Sequence, residues 1–152
     1  MKKWSVYLIG ISLTVFLSTA LFAQDWSDAQ KEVWETVKTY NDMAVKGDTQ
    51  GFLSYIDESY SGWYYFMDAP ADKNSLKNIV NYWFANSKQL YSTLTPAKIW
   101  VEGDYAYVHY YYTEYSEDDE GEKKYENGRL TDILLKKDGK WIVVGDHGSK
   151  GS

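Results

Sequence analysis

Asp132 is the residue whose type and setting best suit chemistry. It lies in the run Leu130-Thr131-Asp132-Ile133-Leu134-Leu135, and on a strand its neighbours two places away, Leu130 and Leu134, share its face. A carboxyl held among apolar side chains loses hydration, which raises its pKa and fits it to act as a general base near neutral pH. His147, after the last apolar run, is the expected catalytic partner, placed to pair with Asp132 or with a tyrosine. Tyr110, Tyr112, Trp63 and Trp83, with Tyr64, are the expected walls of an aromatic pocket for an apolar or cyclic molecule. Each residue also has a plainer reading. The aromatics could be ordinary core, His147 could close a strand with a structural hydrogen bond, and Asp132 could pair with Arg129, the chain's single arginine.

Other chemistries lack their residues. There is no cysteine, so thiol chemistry and disulfide staples are excluded. The two histidines, His109 and His147, lie too far apart in sequence for a zinc-ligand pattern. The acidic loop Glu117-Asp118-Asp119-Glu120-Gly121-Glu122 lacks the alternating ligands of a calcium loop. Ser149 beside His147 has no third group to orient a nucleophile–base pair. No metal site and no cofactor are expected.

The elements that must position these residues centre on Asp138-Gly139. Both residues tolerate positive φ, which suits a two-residue hairpin turn between apolar runs. An unbroken ladder through that turn sets Lys136 against Trp141, Leu135 against Ile142, Leu134 against Val143, Ile133 against Val144, Asp132 against Gly145 and Leu130 against His147. One face then carries Leu130, Asp132, Leu134, Trp141, Val143 and His147. The other carries Ile133, Leu135, Ile142 and Val144. Both faces are apolar, so both need cover: helices on one, another sheet or a second subunit on the other.

Upstream, Trp26, Ala29, Val33, Val37, Tyr40 and Ala44 recur at helical spacing, which predicts a helix from Trp26 to Lys46 that Ser27 or Asp25 caps and Gly47 ends. Asp48 caps a short second helix, Thr49 to Ile56. Ser59 to Met67 reads as a strand, broken by Asp68-Ala69-Pro70. Leu76, Ile79, Val80 and Trp83 make a helical face between about Asn74 and Lys88. Tyr91 to Leu94 fits no single pattern. Ala97–Glu102 and Tyr105–Tyr115 flank the turn Gly103-Asp104 as a second hairpin, and Lys123 leads into the next strand.

The chain of 152 residues is bounded to one domain. Lys2 and Lys3, an apolar run from Val6 to Phe22 and the small Ala23 before a polar stretch have the pattern of a secretory signal peptide, residues 1–23. The domain is then 24–152, and the protein is expected in the periplasm or secreted, with no membrane attachment after cleavage. The segment 1–23 holds two lysines and no acid, so its loss makes the formal charge more negative than the −6 of the whole chain. Such a surface argues against nucleic acid and against anionic membrane. The 7 Trp, 15 Tyr and 5 Phe supply a core without disulfides and argue against disorder.

The order helix, short helix, strand, helix and four long antiparallel strands resembles the nuclear transport factor 2-like superfamily, within it the SnoaL-like domains. So do Val101-x-Gly103-Asp104-x-Ala106, Asp138-Gly139-Lys140-Trp141 in the last turn and His147-x-Ser149 after it. The chain is also similar to the association domain of calcium/calmodulin-dependent kinases. The resemblance implies an α+β fold, a curved antiparallel sheet wrapped on three helices around a cone-shaped pocket. It implies a concave face of Ala106, Val108, Tyr110, Tyr112, Asp132, Leu134 and His147. The convex face, with Trp100, Tyr107, His109, Ile133, Leu135, Ile142 and Val144, is where such domains form homodimers. In the kinase domains arginines stand where this chain has Tyr112 and Asp132, so an aromatic and acidic pocket is expected here. The superfamily hosts isomerases, cyclases and scaffolds alike, so the fold does not choose among them. Three functions follow: an exported domain binding a small apolar or cyclic molecule, a cofactor-free isomerase, cyclase or hydratase with Asp132 as base, or a non-catalytic oligomerisation scaffold.

Overall fold

The computed structural model describes residues 25–151, so the signal peptide expected over residues 1–23 lies outside the described residues. Three helices, α1 (Asp28–Val45), α2 (Thr49–Leu53) and α3 (Lys73–Asn86), pack on five strands: β1 (Ile56–Trp63), β2 (Ser87–Glu102), β3 (Tyr105–Asp118), β4 (Lys123–Lys137) and β5 (Lys140–Lys150). The strands form one open sheet in the order β1-β5-β4-β3-β2. Strands β2 to β5 are the expected antiparallel meander, whereas β1 joins the edge of β5 in parallel. The sheet is therefore mixed, and α3 is the crossover that carries the chain from β1 to the far edge. Among the described residues no helix is long and apolar enough to cross a membrane.

Local chemistry explains the helix ends. Ser27 and Gln30 form a reciprocal capping box at the start of α1, with Ser27 Oγ accepting from the Gln30 N–H and Gln30 Oε1 accepting from the Ser27 N–H. Gly47 ends α1 at φ 71°, and Asp48 caps α2 by accepting from the Gly51 N–H. Asp72 caps α3 by accepting from the Ser75 N–H. Helix α2 ends at Leu53, short of the expected Ile56, because the Val143 N–H bonds to the Tyr55 carbonyl and Ile56 pairs with Val143. That pairing starts β1 three residues earlier than the Ser59 read from the sequence. Helix α3 passes into β2 at Ser87, which is already extended at φ −152°. The unassigned Tyr91–Leu94 is thus part of a 16-residue strand that pairs along the whole of β3.

The core fills the space between the helices and the concave face. Val33 and Val37 of α1 and Leu76 of α3 are fully buried against Ile99, Val108 and Leu134 of the sheet. Among the described residues nothing covers the opposite face, and Ile133 there is 48% exposed.

Candidate functional site

Asp138 and Gly139 adopt φ of 50° and 78°, as the hairpin turn requires. The ladder runs as expected from Lys137↔Lys140 to Leu134↔Val143 and then shifts. Val144 is the extra residue of a β-bulge, so Ile133 pairs with Gly145, Asp132 with Asp146 and Thr131 with His147. Moving the register by one residue swaps the faces of everything that follows. Asp146 turns onto the concave face beside Asp132, and His147 turns out.

This corrects the expected Asp132–His147 pair. His147 is exposed, opposite Thr131 on one side and Trp63 of β1 on the other. Trp63 shares that outer face: it is 45% exposed, and its Nε1–H donates to the Met67 carbonyl at 2.8 Å. Neither residue borders the pocket. Arg129 does not reach Asp132, because its Nε–H donates to Ser149 Oγ at 2.9 Å. His109 lies on the outer face against Thr131 Oγ1.

Tyr110, Tyr112 and Trp83 do border the pocket, together with Tyr40, Tyr64, Phe66, Leu130, Asp132 and Asp146. Its volume is about 920 Å³. Tyr64 stacks on Phe66 with centroids 5.7 Å apart, and Trp83 of α3 meets both edge-on at 5.9 and 5.7 Å. The strap after β1 and the helix after it therefore build one aromatic wall.

The floor is a carboxyl pair ringed by tyrosines. Asp132 is 3% exposed and accepts a hydrogen bond from the Tyr40 hydroxyl of α1. Burial, and then the negative charge of Asp146, push its pKa up to about 7, while the hydroxyls of Tyr40 and Tyr110 pull the other way. Asp146 accepts from the Tyr60 hydroxyl at 2.9 Å. Burial raises its pKa as well, opposed by Tyr60 and Tyr64. Its Oδ1 is buried with no hydrogen-bond partner. The hydroxyls of Tyr40, Tyr64 and Tyr110 are held protonated far above neutrality, by burial first and then by these carboxylates, so they serve as donors. Gly62 makes room for the arrangement, since a Cβ there would stand 1.9 Å from the Tyr60 hydroxyl and 2.2 Å from Asp146 Oδ1.

A second acidic group lies further up the same wall. Glu126 accepts from Tyr65 at 2.9 Å and Tyr112 at 3.0 Å and pairs with Lys150 at 3.0 Å. Burial works against its charge, yet these three partners hold its pKa below the usual value. Glu114 opposite is shifted upward, by burial and then by the charge of Glu126.

The sequence reading missed Asp146, Tyr40 and Tyr60. Tyr40 carried a signal: a tyrosine on the buried stripe of α1 needs an acceptor for its hydroxyl, and Asp132 was the unpaired candidate. Chemically, the floor can hold one proton between two carboxyls near neutral pH and present tyrosine hydroxyls to it.

Comparison with known proteins agrees with this fold. Residues 29–152 match the family model of the calcium/calmodulin dependent protein kinase II association domain. A search of curated proteins finds no match. Among solved structures, a ketosteroid isomerase-like protein from Erwinia carotovora atroseptica superposes with a TM-score of 0.73 at 13% identity, covering 84% of this chain and 99% of that one. A protein classed as a calcium/calmodulin dependent protein kinase II association domain, from Xanthomonas campestris, gives 0.65 at 21% identity, covering 80% and 86%. A nuclear transport factor 2-like superfamily protein from Salmonella enterica serovar Typhimurium gives 0.67 at 17% identity, covering 81% and 91%. At these identities the likeness establishes the nuclear transport factor 2-like fold.

Proposed function

Starting from a chain that belongs to the calcium/calmodulin dependent protein kinase II association domain family, we propose that it is an exported domain that binds a small apolar or cyclic molecule in its concave pocket. The observation that carries this reading is the cavity of about 920 Å³ between α3 and the sheet, walled by Tyr64, Phe66, Trp83 and Tyr110. That size suits a drug-sized molecule, and rigid aromatic walls bury a ligand body at low entropic cost. Export rests on the pattern of residues 1–23. A homodimer through the convex face would cover Ile133 and its apolar neighbours.

A second reading is a cofactor-free isomerase, cyclase or hydratase. What favours it is the Asp132 carboxyl, which lines the pocket with a pKa of about 7 and the Tyr40 and Tyr110 hydroxyls beside it. Such a group takes and returns a proton near neutral pH, and the Tyr110 hydroxyl would stabilise developing negative charge on a bound carbonyl. A third reading, a scaffold that acts by assembly alone, would leave the pocket unused.

Native mass spectrometry of the chain, purified from its own host without dialysis, tests the first reading. A dimer lacking residues 1–23 and carrying an added small mass is the expected result. A clean dimer that takes up no cyclic molecule in a subsequent screen would leave the scaffold.

A further inference from the structure

The pocket is unevenly charged. Its lysines, Lys46, Lys88 and Lys124, are exposed at the mouth, and Lys124 is tied to Asp118 at 2.8 Å. Its inner surface carries Asp132, Asp146 and, further up, Glu114. Among the described residues, the ion pairs at this pocket are Asp118 with Lys124 and Glu126 with Lys150, which leaves those three acids without one. Among the groups that lower the pKa of Asp146, the basic side chain is His147, on the other face of the strand.

Two carboxyls directly opposed across an antiparallel ladder sit only about 5 Å apart at Cα. Ionising both there without a compensating positive charge is costly. A proton is one such charge. An ammonium group entering from the pocket is another, and it brings N–H donors to carboxylates whose side-chain donors are tyrosine hydroxyls. The acids do not converge as ligands of a metal: among the described residues no group of three or more His, Asp or Glu is placed to hold one. The walls also favour an organic cation. Tyr64, Phe66 and Trp83 offer π surfaces, to which an ammonium and its adjacent carbons are attracted.

We infer that the pocket selects a small organic cation, a protonated amine on an apolar or cyclic body, with its ammonium at the Asp132–Asp146 pair and its body against Tyr64, Phe66 and Trp83. This names the ligand class within the small-molecule reading above and rests on it. The ammonium displaces the proton that the pair holds, so binding releases a proton to solvent. Affinity rises with pH through the range in which Asp132 ionises. The groups facing that carboxyl are Asp146 and the tyrosines Tyr40 and Tyr110, and those facing Asp146 are Tyr60 and Tyr64.

Isothermal titration calorimetry with three probes of one shape tests the inference: 2-phenylethylamine, 2-phenylethanol and 3-phenylpropanoate. The amine should bind about tenfold more tightly than the alcohol near pH 8, the worth of a charge-assisted hydrogen bond over a neutral one. It should lose that advantage near pH 6, and the carboxylate should not bind. Asp146→Asn should remove most of the amine's advantage over the alcohol. Glu114→Gln, distant from the pair, should cause a smaller loss of the same sign and guards against a folding defect in the first variant. Equal or tighter binding of the alcohol sinks the inference and leaves the small-molecule reading standing. An amine advantage that survives both substitutions also sinks it. If none of the three probes binds at millimolar concentration, both readings fail together.

Discussion

Asp132 stands directly across the β4–β5 ladder from Asp146, on the face that lines the pocket. The contact exists because Val144 bulges out of β5. Without that extra residue Asp132 would face Gly145, and the pocket floor would hold one carboxyl and a histidine.

The pair should make the free protein more stable in mild acid than in mild base. The Asp132 pKa is about 7 when folded, against an ordinary 3.8. Between those values the native state holds a proton that the unfolded chain has lost, so stability falls as pH rises from about 4 to about 7 and stays low above it. Asp146 is shifted in the same direction and adds to the slope. Asp132→Asn should flatten the profile and gain roughly 1–3 kcal/mol near pH 8 relative to wild type, an order of magnitude set by the shift. Urea midpoints of both proteins at pH 5 and pH 8 measure this. Parallel profiles would show that Asp132 ionises normally.

Gly62→Ala should cost about 1–3 kcal/mol, the usual penalty for overpacking. The new methyl would drive the Tyr60 ring off Asp146, since the hydroxyl lies 1.9 Å from the Cβ position. A Tyr60→Phe, Gly62→Ala double variant should recover part of the loss, because the hydroxyl in the way is gone. Denaturant midpoints of the two single variants and the double variant decide the point. Full additivity would mean that the clash is relieved elsewhere.

Tryptophan substitutions should separate the wall of the pocket from the outer face. Trp83→Ala removes a ring that touches both Tyr64 and Phe66, so affinity for any ring-bearing ligand should drop at least about tenfold, the scale of a lost aromatic contact with its buried area. Trp63→Ala should leave affinity within twofold, since that ring lies outside the pocket. Titrations of the two variants with one ligand make the comparison, and equal losses would contradict the placement of Trp63.

The convex face should hold two copies together. Ile133→Lys places a charge at the middle of an apolar surface that one chain leaves 48% exposed at that residue. Sedimentation velocity should show a dimer for wild type and a monomer for the variant, with unchanged circular dichroism. A wild-type monomer would discard the dimer and leave the exposed face unexplained.

Turn chemistry made the last hairpin legible, because Asp138-Gly139 admits few alternatives and both flanking runs are apolar. The bulge was not legible for the same reason. Val143 and Val144 are equally fit for either face, so the alternation carries no mark of the extra residue, and the misreading exchanged His147 for Asp146. The start of β2 was hidden differently. Ser87–Leu94 follows a helix without a turn residue, and it is extended because the far half of β3 pairs with it, a contact that no local pattern encodes. The capping residues Ser27, Asp48 and Asp72 act locally, and the helix starts lay close to where they were read. Asp132 was legible as a carboxyl among leucines. The roles of Tyr40 and Tyr60 were not, because they reach the floor from elements far away in the chain.

The parallel pairing of β1 with β5 also bears on how the molecule folds. It joins Ile56 to Val143 and brings Tyr60 to Asp146 across 86 positions of sequence, whereas each hairpin of the meander closes over a few residues. Loop closure makes such distant partners slow to meet. The meander can form by local zipping, but the pocket floor needs both ends of the domain and is complete only when β1 docks. A ligand that touches Asp146 therefore recognises the finished fold and no earlier form, and its free energy of binding acts to hold the last-docked strand in place.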